Sequence, residues 1–365
     1  MIKANDLKRQ FDLYAEEYKK KACEVLESGW YILGNELASF ENEWASYVGT
    51  KYCVGLASGL DALWIGFKVL GITYGDEVIV CSNSYIACVM GITINGATPV
   101  FVEPDEYDNI DANKIEMAIT KKTKAILAVH LYGQSCDMTK IMAIAKKYNL
   151  KVVEDCAQSH GNHWHGQTVG SFGDIGCFSF YPSKGCGAFG DGGCITTNNK
   201  DIAEKIRIFR NYGSEKRYHN KIVGTNSRLD ELQAGLLRIK LKHLSELNNE
   251  RCMIAKRYQK EIINPLIKKP LVRPGADSTW HQYVIHVQKG KRDDLIKYLE
   301  NKGIGTLIHY PIPPHLSEAY SYLGYRIGDF PIAELYASEV LSLPMFNGMT
   351  VEEQSYIIET INSFK

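Results

Sequence analysis

The stretch Ser171-Phe-Gly-Asp-Ile-Gly-Cys-Phe-Ser-Phe-Tyr-Pro-Ser-Lys184-Gly-Cys-Gly-Ala-Phe-Gly-Asp-Gly-Gly-Cys-Ile-Thr-Thr197 sets one lysine among glycines. Within it, Gly176 to Phe180 has the length and β-rich composition of a buried strand. Pro182 has no N–H to give to a ladder and ends regular pairing. Lys184 follows, with glycines at 185, 187, 190, 192 and 193 around it. Glycine lets a backbone take left-handed torsions and lie close against a ligand. A lysine on such a turn just past a strand is placed to present an amine to an aldehyde. Imine formation needs the neutral amine, so such a lysine is desolvated or set near another positive group. The other reading of this segment alone is a solvated lysine in a flexible loop.

A chain of 365 residues buries a large core and is expected to form two domains, here 1–250 and 251–365. Lys+Arg and Asp+Glu number 42 each, and the zero net charge argues against general binding to nucleic acid or a membrane surface. No apolar run approaches the roughly 18–20 residues of a membrane span. Met1-Ile-Lys-Ala-Asn-Asp-Leu-Lys8 lacks the apolar core of a signal peptide, so a cytoplasmic protein is expected. The ten cysteines sit mostly inside apolar runs and form no Cys-x-x-Cys pair, which fits reduced thiols better than disulfides or structural zinc.

Outward from Lys184, residues 12–29 read as one amphipathic helix ending at Gly29, and Glu36 to Val48 as another. Short β-rich runs follow at Tyr52–Leu56, Glu77–Cys81, Pro99–Val102, Ala125–Val129, Lys151–Glu154, Gly176–Phe180 and Cys194–Thr197. Between them Leu60, Leu63, Trp64 and Phe67 have helical spacing, and 110–119 and 138–148 also read as helices. Strands alternating with helices imply an α/β sandwich with a mostly parallel sheet, whose ligands bind beyond the carboxyl ends of the strands. The residues just after the strands are therefore the candidates. They are Ser58-Gly59-Leu60 opening a helix, Tyr85, His130, Asp155 with Gln158 and His160, and Ser179 before Lys184. A helix start with free N–H groups beside Gly59 and Leu60 is an anion site. Together these residues supply a phosphate cradle, an aromatic face, a carboxylate, an amide and an amine at one rim.

Further on, residues 201–212 read as helical and Ser214–His219 as a polar loop. Ser227 and Asp230 have the spacing of a capping box at the start of a long helix reaching about residue 260. Trp280–Val287, a helix at 292–303 and Val351–Phe364 suggest a small α+β domain.

The set Ser58-Gly-Leu-Asp-Ala-Leu63, Val153-Glu-Asp155-Cys-Ala-Gln158-Ser-His-Gly161, Phe178-Ser-Phe-Tyr-Pro-Ser-Lys184, Gly190-Asp-Gly-Gly193 and Asn226-Ser-Arg-Leu-Asp-Glu-Leu-Gln-Ala234 resembles the DegT/DnrJ/StrS family of sugar aminotransferases. The likeness runs in order along nearly the whole chain. It implies the aspartate-aminotransferase fold (fold type I of the pyridoxal-phosphate enzymes), with a mostly parallel seven-stranded sheet and a smaller C-terminal α+β domain. By that resemblance Lys184 holds pyridoxal 5′-phosphate as an internal Schiff base and later shuttles a proton. Asp155 sits by the pyridine nitrogen, Gln158 binds the ring's 3-oxygen, and Tyr85 stacks on the ring. Gly59, Leu60 and Ser179 hold the phosphate, and Asn226 reaches it from a neighbouring subunit, which implies a homodimer with shared active sites. Gly29-Trp-Tyr-Ile-Leu-Gly34 and Gly305-Thr-Leu-Ile-His309-Tyr310-Pro-Ile-Pro313 resemble enzymes that aminate C3 of dTDP-3-keto-6-deoxyhexoses. Tyr181, His309 and Tyr310 then become candidates for substrate contacts, and Lys216–His219 a basic arm. L-Glutamate would donate the amine to the nucleotide-linked ketosugar. The sequence departs from the family at Leu60, where threonine is frequent, at Cys156, and at Gly185-Cys186.

Other readings stand beside this one. His160, His163 and His165 could hold a metal, but their spacing is not that of a helical pair and no carboxylate or cysteine completes the set. No metal is expected. A dehydratase of the same fold would carry histidine in place of Lys184. A 4-aminotransferase acting on a 4-keto-6-deoxyhexose, and a non-catalytic sensor, remain as alternatives.

Overall fold

The computed structural model describes residues 1–365. The chain opens with α1 (Leu7–Asp12), α2 (Ala15–Ser28) and α3 (Asn35–Val48). Expected as one helix, 12–29 is broken at Tyr14, whose ring stacks on His243 with centroids 3.8 Å apart. Gly29, at φ 65°, stops α2 in the left-handed region that glycine adopts without strain.

The alternating part then runs β1 (Tyr52–Leu56), α4 (Gly59–Val69), β2 (Glu77–Cys81), α5 (Ile86–Thr93), β3 (Thr98–Val102), β4 (Thr123–Val129), α6 (Met138–Tyr148) and β5 (Lys151–Asp155). A short hairpin, β6 (His163–Trp164) and β7 (Gln167–Thr168), precedes β8 (Ile175–Ser179), β9 (Gly193–Thr197) and α7 (Lys200–Phe209). The central sheet has seven strands in the order β1-β9-β8-β5-β4-β2-β3. Only β9 runs against the rest, pairing antiparallel with both β1 and β8. Helices α4, α5 and α7 cover one face, while α3 and α6 cover the other, so the strands are buried on both sides and read as apolar runs.

Two expectations fail here. Residues 110–119 hold only a 3₁₀ turn at Glu116–Ala118, because the Asp111 carboxylate accepts the N–H of Asn113 at 3.0 Å and draws the backbone into a turn. Ser227 caps nothing. Its hydroxyl donates to Asp61 Oδ2 at 2.7 Å and accepts the N–H of Ala57 at 3.1 Å, so a tertiary contact takes the group a cap would use.

After an exposed ribbon, β10 (Ser214–Lys216) and β11 (His219–Asn220), comes the long α8 (Glu231–Glu261). Glu231 in its first turn accepts the N–H groups of Gly34, Glu36 and Leu37, fixing the start of α3. The remainder is β12 (Ile267–Lys268), β13 (Tyr283–Val287), α9 (Arg292–Asn301), α10 (Pro331–Glu339), β14 (Val340–Leu343) and α11 (Val351–Ser363). Its three antiparallel strands share a core with α9, α11 and the end of α8. Ile2 bridges to Ile304, so the first residues of the chain pack against this C-terminal core. No helix is long and apolar enough to cross a membrane.

The edge strand β1 is held by a buried pair. Glu41 Oε1 accepts Arg210 Nη1 at 2.5 Å and the Gly55 N–H at 2.8 Å, while Arg210 Nη1 also donates to the Gly55 carbonyl at 2.7 Å. Glu41→Ala would leave a guanidinium buried without its anion, and is expected to lower the unfolding free energy in urea by about 3–5 kcal/mol.

Candidate functional site

A cavity of about 470 Å³ opens at the carboxyl ends of β1, β2, β4, β5 and β8, roofed by residues of the C-terminal part. The lining residues stand at the strand ends or a few residues past them, where a parallel sheet places its ligands. Gly59, Leu60, Tyr85, Asp155, Gln158, Ser179, Tyr181, Lys184, His309 and Tyr310 all line it. Asn226 does not. It is exposed on the segment before α8, bridged to Asn211. Of the three histidines weighed as a metal set, His163 pairs with Asp277 at 2.7 Å, His165 packs on Trp164, and His160 is buried under the Lys184 turn.

The cradle at the start of α4 is bare backbone. A Cβ on Gly59 would lie 2.4 Å from Ser179 Cβ, and one on Gly193 would lie 2.3 Å from the Ser58 carbonyl oxygen. Only glycine lets β1, β8 and β9 close around the free N–H groups of this helix end. Ser58 caps α4 by accepting the N–H of Asp61 at 3.1 Å.

Lys184 sits on a turn closed by its own N–H to the Tyr181 carbonyl at 2.8 Å. His160 Nδ1 accepts the Cys186 N–H at 3.0 Å and anchors the turn from beneath. Burial pushes the Lys184 ammonium down to about 8, against the opposite pull of the Asp155 carboxylate. The surrounding histidines add no competing charge. Burial holds His309 at about 4 and His160 at about 3, and puts His281 well below its usual range. Lys184 is thus the sole lysine or arginine in the lining.

Asp155, the last residue of β5, is 6% exposed and has no salt-bridge partner. Its Oδ1 accepts the Ala157 N–H at 3.0 Å and its Oδ2 accepts the Cys88 thiol at 3.1 Å. Gln158 is oriented by the Tyr132 N–H, which donates to its Oε1 at 2.7 Å. That leaves Nε2 to donate, and one hydrogen goes to the Tyr310 hydroxyl at 3.0 Å. Tyr85 and Tyr310 face each other with ring centroids 5.1 Å apart.

Behind this floor, His130 Nδ1 accepts the Cys136 N–H, which leaves the proton on Nε2 to go to Glu154 at 3.1 Å. Glu154 also accepts the N–H groups of Gly170, Phe172 and Gly173, so the cluster it forms with His130 and Cys156 is already satisfied by protein donors.

Sequence reasoning missed Cys88, Ser183, Asp191, His281 and Gln282 among the lining residues. Cys88 had a signal, standing one helical turn after Tyr85. His281 and Gln282 had none, because they arrive from the C-terminal part where the Gly133 turn (φ 98°) meets the Trp280–His281 backbone.

The model of the DegT/DnrJ/EryC1/StrS aminotransferase family matches residues 13–362. The dTDP-3-amino-3,6-dideoxy-alpha-D-galactopyranose transaminase of Aneurinibacillus thermoaerophilus is 52% identical over 365 residues, covering 100% of this chain and 99% of its own. The crystal structure of S. venezuelae DesV in complex with a ketimine intermediate aligns with a TM-score of 0.96 at 42% identity, covering 99% of this chain and 97% of that one. NtdA from Bacillus subtilis with bound cofactor PMP aligns at 0.90 and 32% identity, covering 98% of this chain and 83% of that one.

The depressed Lys184 ammonium has a direct readout. Trapping of a small aldehyde on the cofactor-free protein by borohydride, followed by mass spectrometry, is expected to label Lys184 with a midpoint near pH 8. A free lysine would give about 10.4.

Proposed function

The chain belongs to the DegT/DnrJ/EryC1/StrS aminotransferase family, and we propose that it moves an amino group from L-glutamate to C3 of a dTDP-linked 3-keto-6-deoxyhexose. The cofactor is pyridoxal 5′-phosphate. The observation that carries this reading is the meeting of Lys184, Asp155 and the bare backbone cradle at Gly59 in one cavity. The fit is good at three points. The cradle takes a phosphate with Ser179, the Asp155 carboxylate takes a protonated ring nitrogen, and Gln158 Nε2 has a second hydrogen for the 3-oxygen. When bound, the cofactor supplies an electron sink for the carbon bearing the amine.

The chain's own groups do the rest. Lys184 holds the cofactor and, once freed, takes the α-proton of the amino donor. An amine titrating at about 8 is partly neutral near pH 7 and so serves as base there and, protonated, as acid. Asp155 keeps a proton on the ring nitrogen, since its charge favours the protonated base beside it. Tyr181, His309 and Tyr310 at the cavity mouth orient the sugar and exclude water. His309 stays neutral in this role, its Nδ1 bonded to the Ser342 hydroxyl at 2.7 Å.

A homodimer with shared sites completes the reading. The lining offers no lysine or arginine besides Lys184 for a diphosphate, whereas Lys216 and Arg217 stand exposed on the β10–β11 ribbon. Trp30, Tyr31, Phe189 and Tyr212 are exposed, as an uncovered interface would leave them. The unpaired cysteines and a nucleotide-sugar substrate fit the cytoplasm. Similarity to the Aneurinibacillus enzyme supports the 3-keto substrate.

The test is product analysis. The protein is incubated with L-glutamate and either dTDP-3-keto- or dTDP-4-keto-6-deoxyglucose, and NMR locates the new amine; C3 is expected, and C4 alone would overturn the regiochemistry. Lys184→Ala should lower turnover by about 10²–10⁴-fold, and Asp155→Asn by about 10²–10³-fold with the fold intact. Mixing Lys184→Ala with Asn226→Asp should restore about a quarter of native activity, because each mixed dimer regains one intact site. Unshared sites would restore none.

A further inference from the structure

Asp155 reaches the cavity with unusually little to hold it. It has no cation within salt-bridge distance, and one backbone N–H, that of Ala157, fixes only its Oδ1. Its other oxygen has a single protein donor, the Cys88 thiol at 3.1 Å. Cys88 is 1% exposed, in the first turn of α5, three residues beyond Tyr85. Burial and the neighbouring carboxylate push the Cys88 thiol far up, so it stays S–H and is the donor of the pair. A carboxylate with one of its oxygens unbonded is free to rotate about its last bond. Rotation turns its lone pairs away from the ring nitrogen they would face.

Resting on the transaminase reading, we propose that Cys88 is a positioning residue for Asp155. Its thiol holds the second carboxylate oxygen so that the remaining lone pairs face the ring nitrogen. The helix that brings Tyr85 to the cofactor face thereby also sets the carboxylate at the ring's edge, and one turn of α5 fixes two contacts. A packing role alone would need only the volume of the sulfur. The positioning role needs a donor.

That difference is measurable without turnover. Pyridoxamine 5′-phosphate, which forms no bond to Lys184, is titrated into cofactor-free native protein, Cys88→Ala and Cys88→Ser by fluorescence, with thermal melts on each. Cys88→Ala is expected to bind about tenfold more weakly, the loss of one hydrogen bond to a charged group. Cys88→Ser, which keeps a donor, should stay within about twofold of native. A 1-deaza analogue without the ring nitrogen should bind all three proteins alike. If Cys88→Ala does not fold, Cys88→Val takes its place as the donor-free variant. Native affinity in the donor-free variant would overturn the proposal, as would an equal loss in Cys88→Ser or an equal loss with the deaza analogue. A native protein that binds neither probe would sink the transaminase reading and the role of Cys88 together.

Discussion

The structure depends on keeping one amine uncharged enough to react. Lys184 cannot have a tight counter-ion, because a salt bridge would hold the proton on it. Asp155 is required in the same cavity, so the two groups are separated rather than paired. The carboxylate is instead satisfied by the Ala157 N–H and the Cys88 thiol, and the lysine by desolvation. Three histidines nearby follow the same logic. His160, His281 and His309 are all driven neutral by burial, with the Lys184 charge adding to the effect. A cavity that tolerated one more fixed cation would lower the amine further, and one more carboxylate would raise it.

The second constraint is steric. A phosphate dianion is stabilised by backbone N–H groups only if the surrounding chain approaches without side chains. Antiparallel β9 supplies that approach, since it carries Gly193 against the Ser58 carbonyl while β8 carries Ser179 against Gly59. The reversed strand is therefore part of the site. It also begins right after the glycine-rich turn from Lys184, so amine and cradle are built by one uninterrupted stretch.

This explains what was legible in the sequence. Parallel strands buried on both faces appear as apolar runs, and the residue after each run is by topology a rim residue, so Gly59, Tyr85, Asp155, Ser179 and Lys184 could be read in order. What was not legible is tertiary. Ser227 has the spacing of a cap, but half-buried Asp61 competes for its hydroxyl. The 110–119 segment has helical spacing, but an aspartate turn intervenes. His281 and Gln282 enter the site from beyond α8, where no local pattern could announce them. Asn226 is a different case, since the partner that would test its role is a second chain.

The same division separates chemistry from specificity. The proposed groups of the reaction lie at or just past the carboxyl ends of the central strands, which fix them. The candidate sugar contacts His309 and Tyr310 lie on the C-terminal part, where Ile308 and Tyr310 pack against the core of the sheet. Tyr310 is bonded to Gln158, and the Tyr132 hydroxyl donates to the His309 carbonyl. Gln158 therefore stands at a junction. One amide hydrogen holds the Tyr310 segment and the other is left free, so the proposed sugar contacts are registered against the proposed ring site. Losing the Gln158 side chain would free the Tyr310 hydroxyl and the Tyr132 N–H at once.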